Sequence, residues 1–324
     1  MKVLITGGAG FIGSHLADQL VARGDKVTII DNLATGRRDN IPSGASFRED
    51  TIVPSELDEE KVDPLFDWIF EQHSVLNQAG DQDGFDIVIH AAASYKNPNN
   101  WEGDALVNTA GTAAVVKACQ EYDVKRLIYF QTSLCYGQYP SEQPISILSP
   151  INPAPNSYAI TKTAGEQLIQ MSGVNYISFR LANCYGPRNL SGPIPTFYHR
   201  LTSGKGCFCV NTRRDFIFIE DLVKIVVKAI DGEGEKGEYH IATGRDYSIA
   251  ELFEAVTEAL EIDAEVDHIE RGLDDVETIL LDPSKTTRDF GHLPSTPLKE
   301  GVRKAIDWYK NNKITETYTH LREK

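Results

Sequence analysis

The feature that most constrains this chain is an apolar run followed at once by glycines, Val3-Leu4-Ile5-Thr6-Gly7-Gly8-Ala9-Gly10-Phe11-Ile12-Gly13. Val3, Leu4 and Ile5 suit a buried parallel strand. Leu16-Ala17-Asp18-Gln19-Leu20-Val21 then reads as a helix. Gly8, Gly10 and Gly13 fit G-x-G-x-x-G, and Gly7, Gly10 and Gly13 fit the wider G-x-x-G-x-x-G. A side chain in such a turn would hold the backbone away from a pyrophosphate. The helix N-terminus offers that pyrophosphate N–H groups and a positive dipole. A glycine pattern alone is a weak signal. It gains weight because Val27-Thr28-Ile29-Ile30 reads as a second strand that ends on Asp31. That places a carboxylate about 20 residues past the loop, where it can accept bonds from ribose hydroxyls.

Asn32-Leu33-Ala34-Thr35-Gly36-Arg37-Arg38 follows as a loop able to wrap an adenosine. The arginines raise the question of a 2′-phosphate. Asp31 would repel one, which favours NAD over NADP. Further strands are expected at 45–49, 85–90, 124–131 and 176–181, and helices at 62–70, 101–122 and 157–171. The stretch 101–122 reads as one long helix. This alternation implies a doubly wound, Rossmann-type α/β fold with a parallel sheet. Ala91, Ala92 and Ala93 follow the fourth strand, small enough to let a cofactor approach the backbone. Beyond about residue 180 the elements shorten. The expected division is a dinucleotide-binding domain over 1–180 and a smaller α/β substrate lobe over 181–324, with 213–247 folding back onto the sheet. Ser248-Ile249-Ala250-Glu251 is a capping box.

Bulk properties narrow the function. The net charge of −15, from 32 basic and 47 acidic residues, argues against a general nucleic-acid or anionic-membrane binder. The first strand begins at residue 2, so no signal peptide is expected, and no apolar run reaches membrane-spanning length. Five cysteines without a C-x-x-C pair read as reduced cytoplasmic thiols, and no metal site is expected.

Chemistry enters with Tyr158-Ala159-Ile160-Thr161-Lys162. Tyr158 and Lys162 share a helix face, one turn apart. A phenol is a poor base at neutral pH, and a cation one turn away is expected to lower its pKa. A Tyr so tuned can take a proton from a carbinol as hydride leaves for a cofactor. The hydroxyl of Thr132 stands at a strand end about 25 residues earlier, which completes the set.

These residues resemble an extended short-chain dehydrogenase/reductase of the nucleotide-sugar epimerase/dehydratase family. The resemblance rests on Gly7 to Gly13, Asp31-Asn32-Leu33, His90-Ala91-Ala92, Asn108 with Gly111-Thr112, Thr132 to Gly137, Ser157-Tyr158 to Lys162, Arg180 to Arg188, and Arg214-Asp215-Phe216. Ser94-Tyr95-Lys96-Asn97-Pro98 and Gly192 to Phe197 further resemble epimerases of O-antigen sugar biosynthesis. The resemblance implies catalysis by Thr132, Tyr158 and Lys162, with Thr132 bridging the sugar O4 and Tyr158. It implies NAD contacts from Gly7, Gly10, Phe11, Ile12, Gly13, Asp31, Asn32, Thr35, Gly36, Asp50, Thr51, the three alanines and Asn108, besides Tyr158 and Lys162. Asp50 and Thr51 would meet the adenine. Ser133 would meet the sugar, Asn183 and Arg214 the UDP pyrophosphate, and Phe208 in strand 207–210 the base. Lys96 is either a contact for a sugar carboxylate or a solvated loop lysine. A second phosphate-binding Arg271 is a further candidate. The segment 209–213 lacks the family's usual Gly-Asp-Gly turn.

The expected activity is 4-epimerisation of a UDP-hexose through a transient 4-keto sugar, by a homodimer paired through helices 101–122 and 157–171. Dehydration, decarboxylation or net reduction on the same scaffold is the alternative, and a non-catalytic dinucleotide sensor is the reading from another class. Dehydratases of the family carry Asp-Glu directly after the catalytic Thr. Here Ser133 and Leu134 stand there. An acid from another loop, through Lys96 or His90, would reopen that alternative.

Overall fold

The computed structural model describes residues 1–55, 63–75, 84–270, 276–291, 294–312, 314 and 316–318. Arg271 lies outside them. In chain order the strands are β1 (Lys2–Thr6), β2 (Lys26–Asp31), β3 (Ser46–Glu49), β4 (Ile87–His90), β5 (Arg126–Thr132), β6 (Tyr176–Leu181), β7 (Asn183–Tyr185), β8 (Cys207–Val210), β9 (Arg213–Phe218), β10 (Gly237–Ile241), β11 (Asp246–Ser248), β12 (Val266–Ile269) and β13 (Thr278–Ile279). The helices are α1 (Phe11–Ala22), α2 (Pro64–Val75), α3 (Trp101–Asp104), α4 (Thr112–Glu121), α5 (Ser157–Met171), α6 (Pro193–Thr202), α7 (Ile219–Ile230), α8 (Ile249–Leu260), α9 (Ser284–Phe290) and α10 (Leu298–Asn312).

Seven strands form one parallel sheet in the order β10-β6-β5-β4-β1-β2-β3. The order reverses beside β1, so the carboxyl ends of β1 and β4 flank the crevice where such sheets take ligands. The apolar runs seen in the sequence fill both faces. Val3, Ile5, Ile29 and Ile89 pack on one side, and Leu4, Ile30 and Val88 on the other. The Rossmann-type fold read from the sequence is the fold observed.

The region after β6 divides between two places. α7 packs against α1 and β5, and β10 pairs with β6 at the sheet edge. By contrast β7, β9, β11 and β13 form a second, four-stranded sheet, and β8 pairs with β12. Asp215 on β9 joins the two sheets. Its buried carboxylate accepts from Thr243 N, Thr243 Oγ1 and Gly244 N just after β10, and burial pushes its pKa up to about 6.

The long helix expected over 101–122 is interrupted. α3 gives way to a π-helical turn over Ala105–Gly111 before α4 begins. The cause is lateral bonding. Asn108 in the turn donates to Ser94 O and Thr161 Oγ1, and Thr109 Oγ1 donates to Thr161 O. Widening the turn lets both side chains reach α5, a use typical of π-bulges.

Under α5 lies a buried ion pair. Arg180 on β6 bonds Glu166 through Nε and Nη2, with Nη2 3.0 Å from Oε2, and Ser178 Oγ donates to the same carboxylate at 2.5 Å. Arg180 Nη1 also donates to Tyr136 Oη at 2.9 Å. His240 spends its Nδ1 proton on the Asp282 carbonyl, so Tyr136 donates to His240 Nε2 at 2.6 Å. Burial holds His240 near 4, hence neutral. Every polar atom of this chain of contacts has a partner, as burial demands. Removing one charge leaves the other stranded, at a cost of about 3–5 kcal/mol. Arg180→Met is therefore expected to lower the unfolding free energy by about that much in urea titration. A loss under about 1 kcal/mol would show that Glu166 is readily neutralised in place.

Candidate active site

The glycine turn is a crowded joint. Gly7 has φ +72°, and a Cβ there would fall 2.5 Å from Ala92 N, on the backbone that follows β4. A Cβ at Gly13 would fall 2.3 Å from the Gly7 carbonyl oxygen. The turn therefore packs against Ala91 and Ala92 with no room for side chains. Gly10 caps α1 without a side-chain bond, and among the described residues no side chain bonds the N–H groups of Phe11, Ile12 and Gly13. Such an end is a ready site for a phosphate.

Asp31 ends β2 as expected, and its carboxylate already accepts from Ala9 N at 2.9 Å and Leu33 N at 2.8 Å. It ties the glycine turn to the next loop. Burial pushes its pKa up, against the pull of those N–H donors. Each oxygen keeps a further lone pair for a hydroxyl. A Cβ at Gly36 would meet Ala9 and Asp31, so this loop also lies close against the turn. Thr35 bonds the side chain of Tyr95. Asn32 is exposed and accepts from Ala34 N. Asp50 pairs with Arg48, and Thr51 beside it is exposed. Arg38 is engaged with Glu49 and lies over Phe47, and Arg37 pairs with Asp39.

Asn108 clamps the loop after β4. Its Oδ1 accepts from Ser94 N at 2.8 Å while its Nδ2 donates to Ser94 O at 2.9 Å. His90 is sealed between Thr6 and Thr112. The Thr112 hydroxyl donates to Asn108 O, so His90 Nε2 donates to Thr112 and Nδ1 accepts from Thr6. Burial, with Lys162 adding repulsion, holds its pKa near 3. Neutral, fully buried and doubly bonded, His90 is no source of acid for a substrate.

Thr132 closes β5, and its Oγ1 accepts from Leu134 N at 3.2 Å, which leaves its proton to give. Ser133 is buried in the turn that follows. α5 packs against β5 and that turn, and so brings Tyr158 and Lys162 to the same end of the sheet as Thr132. Lys162 is buried, with Nζ 3.8 Å from the centroid of the Tyr129 ring. It makes no hydrogen bond or ion pair among the described residues.

The expected lowering of the Tyr158 pKa by Lys162 is not what the structure shows. Burial pushes the phenol up, and Tyr95 and Asp104 push it further. Burial takes Lys162 itself from 10.5 down to about 7, with Glu166 opposing. The one-turn spacing holds, but desolvation of both groups outweighs their mutual attraction.

In the second sheet β7 pairs with β9, which sets Asn183 opposite Phe216. Asn183 Nδ2 donates to Asp215 O, and Arg214 Nη1 donates to Arg213 O and Glu277 O. Phe208 is exposed on β8 beneath Arg200, while Cys207 and Cys209 face inward. Lys96 is exposed in the loop after β4, as a solvated loop lysine would be. Its Nζ lies 4.1 Å above the Tyr318 ring and 4.0 Å from the Glu316 carboxylate. Tyr318 in turn bonds the 190–192 loop, through Tyr318 N to Leu190 O and Gly192 N to Tyr318 O. Lys96 thus links the loop after β4 to the C-terminal segment.

Sequence reasoning missed three residues. Asp104 is buried and accepts hydroxyl bonds from Ser94 and Ser157. Tyr95 stands edge to face with Tyr158. Ser157 is the residue through which Asp104 reaches the start of α5. The available signal was spacing, since Asp104 and Asn108 match Ser157 and Thr161 turn for turn.

An uncapped helix N-terminus, a glycine turn without space for a Cβ, and a buried unpaired ammonium together fit a dinucleotide. The NAD dependent epimerase/dehydratase family matches residues 3–249. The chain belongs to this family. Its cofactor is accordingly NAD, as the sequence led us to expect. The fold superposes on the Bordetella bronchiseptica enzyme WbmH in complex with NAD+, with TM-score 0.87 and 44% identity, covering 97% of this chain and 99% of that one. WbmG of the same organism, in complex with NAD and UDP, gives TM-score 0.86 and 38% identity over 99% of each chain. The UDP-glucose 4-epimerase of Thermotoga maritima with UDP-glucose gives TM-score 0.84 and 27% identity over 97% of this chain and 100% of that one. No helix among the described residues is long and apolar enough to cross a membrane.

Lys162 yields a prediction of stability against pH. Folded, it gives up its proton near 7, and unfolded near 10.5. Between these values the unfolded chain holds more protons, so Lys162 makes stability rise with pH across that window and lowers it below. In protein stripped of nucleotide, Lys162→Met is expected to be more stable than wild type by roughly 3–5 kcal/mol at about pH 6. The gap should close toward about pH 10. Urea titrations at several pH values check this, and a gap independent of pH would contradict it.

Proposed function

We propose that this member of the family inverts C4 of a UDP-hexose or a derivative of it, and that its product serves as a sugar precursor for a surface polysaccharide such as O-antigen. The observation that carries the reading is the turn after β5. There Ser133 and Leu134 follow Thr132 where a dehydratase needs an acid and a base. A hydroxyl of ordinary pKa and an alkyl chain replace neither. Burial of His90 removes the nearest substitute. The known names of WbmG's bound UDP and the Thermotoga enzyme's bound UDP-glucose support a uridine nucleotide as carrier.

In this reading Tyr158 Oη takes the proton from the sugar O4, and Thr132 donates its free proton to the oxygen shared between them. NAD held there would supply the hydride acceptor for C4. Lys162 bonds the nicotinamide ribose. The uncapped start of α1 receives the pyrophosphate, Asp31 the adenosine ribose, and the alanines after β4 the nicotinamide side. Asn183 and Arg214 hold the UDP pyrophosphate, the latter with a planar fork that matches phosphate. Phe208 lies against the base. The sugar turns within the pocket before hydride returns to its other face. C5 and C6 take no part.

The working unit in this reading is a homodimer. Trp101 and Leu106 on the interrupted helix, with Ile160 and Met171 on α5, are exposed apolar side chains on the two helices proposed to pair. Two copies would cover them as a four-helix bundle. Light scattering at micromolar concentration should give about twice the chain mass, and the mass of one chain would refute the pairing.

Tyr158→Phe should retain NAD and lower turnover about a hundredfold, the usual order for a lost acid–base group. The wild-type product from a UDP-hexose should keep the substrate's mass and carry no solvent deuterium at C5. Loss of water or carbon dioxide, read by mass spectrometry, would replace epimerisation with one of its alternatives.

A further inference from the structure

Asp104 ends α3 at 1% exposure, and no cation pairs with it among the described residues. A carboxylate taken out of water without a counter-charge costs stability. Its two oxygens are held by two serine hydroxyls. Ser94 Oγ donates to Oδ1 at 2.6 Å, and Ser157 Oγ donates to Oδ2. Each serine immediately precedes a tyrosine. Ser94 leads into Tyr95 and Ser157 into Tyr158, and those rings meet edge to face with centroids 6.2 Å apart at 62°. One turn further along, Asn108 repeats the arrangement. It bonds Ser94 through the backbone and Thr161 through Oγ1. Asp104 and Asn108 thus form two rungs between the interrupted helix and α5, and Ser94 takes part in both.

We propose that Asp104 is the positioning residue of the Tyr95–Tyr158 pair, fixing through Ser157 the start of α5 and through Ser94 the loop that carries Tyr95. The proposal rests on Tyr158 being the base of the reaction proposed above. Asp104 also acts by charge, since it adds to the burial that keeps the phenol protonated. Tyr95 faces Tyr158 from the loop, Tyr129 from β5, and Lys162 and Glu166 lie further along α5; the turn and β6, which also pack on α5, carry Cys135, Tyr136 and Arg180, and His90 of β4 faces Lys162. Glu166 and Arg180 neutralise each other, and His90 is uncharged. Tyr129, Cys135 and Tyr136 are pushed up by burial and stay protonated. Lys162 loses its charge near pH 7. Among the described residues Asp104 is therefore a negative charge acting on Tyr158 with no cation paired to it.

The test uses NAD-loaded protein as wild type, Tyr158→Phe, Asp104→Asn and Asp104→Ala. Phenolate absorbance is followed against pH, and the difference between wild type and Tyr158→Phe isolates the titration of Tyr158. Asn can keep both serine contacts, because a hydroxyl accepts as readily as it donates. Only the charge is lost, so the Tyr158 midpoint should fall by about one pH unit. The rising limb of kcat against pH should move the same way. Asp104→Ala loses both anchors, and its kcat at the plateau should drop tenfold or so with bound NAD and KM little changed. A merely structural carboxylate would lower the melting temperature of both variants and leave the midpoint where it was. An unmoved midpoint in Asp104→Asn, with turnover of Asp104→Ala within twofold of wild type, would overturn the proposal. Wild type that turns over no UDP-sugar, while the midpoint still moves in Asp104→Asn, would sustain the positioning role and remove the epimerase reading.

Discussion

The site depends on one steric constraint, the contact between the backbones at the carboxyl ends of β1 and β4. With a Cβ at Gly7 excluded by Ala92 N, the two chain segments lie as close as peptide units allow. That contact brings the glycine turn before α1 against the loop after β4. The same loop is then held from its far side by Asp104 and Asn108. One side of the crevice is built from glycines that permit approach, and the other from polar side chains that enforce it. Neither half positions anything without its partner.

The helix to which the proposed reaction assigns its chemistry, α5, buries a polar stripe. Tyr158, Lys162 and Glu166 recur at every fourth residue and so share one face. An ordinary amphipathic helix would turn apolar residues inward here. The burial of these groups is compensated unequally. Glu166 receives the Arg180 fork and the Ser178 hydroxyl. Among the described residues Lys162 receives only the face of the Tyr129 ring. A cation over an aromatic face is attracted far less strongly than one in a hydrogen-bonded ion pair. The fold is thus satisfied at the residue that holds the helix in place and left unsatisfied at the residue proposed to meet the nucleotide.

Much of this was legible in the sequence. Strand runs such as Val3 to Ile5 and Ile87 to Ile89 are apolar throughout, so a parallel sheet with two covered faces follows from pattern alone. The glycine turn, Asp31 and the Tyr158–Lys162 spacing are local signals, and the structure places them together. What escaped depends on contacts between distant segments. The π-helical turn is caused by Thr161, more than fifty residues away, and helical periodicity is blind to it. Asp104 reads as a surface acid until Ser94 and Ser157 close over it. The contacts of Lys96 with Glu316 and Tyr318 escaped because those residues lie at the other end of the chain. The pKa of Tyr158 was misjudged for a related reason. Spacing reports a neighbour's charge, but burial depends on everything packed around the pair.

Burial acts on Tyr158 and Lys162 in opposite directions, and this has a chemical consequence. Desolvation favours the neutral form of each, which raises the phenol and lowers the ammonium. The usual order, in which the two groups titrate close together, is then pulled apart, with Lys162 near 7 and Tyr158 above its ordinary value. In such a pocket lysine holds a proton less firmly than tyrosine does. Tyr158 therefore cannot serve as the base by proximity to Lys162 alone. Its phenolate must be favoured by donors aimed at its oxygen and by positive charge brought in with the ligand. Thr132 is fitted to the first task, because its oxygen is already engaged by Leu134 N and its proton is free. Asp104 opposes both, which keeps the phenol protonated until those contributions are in place. In the proposed reaction, a site so arranged withholds its base from an unfilled crevice and yields it to a filled one.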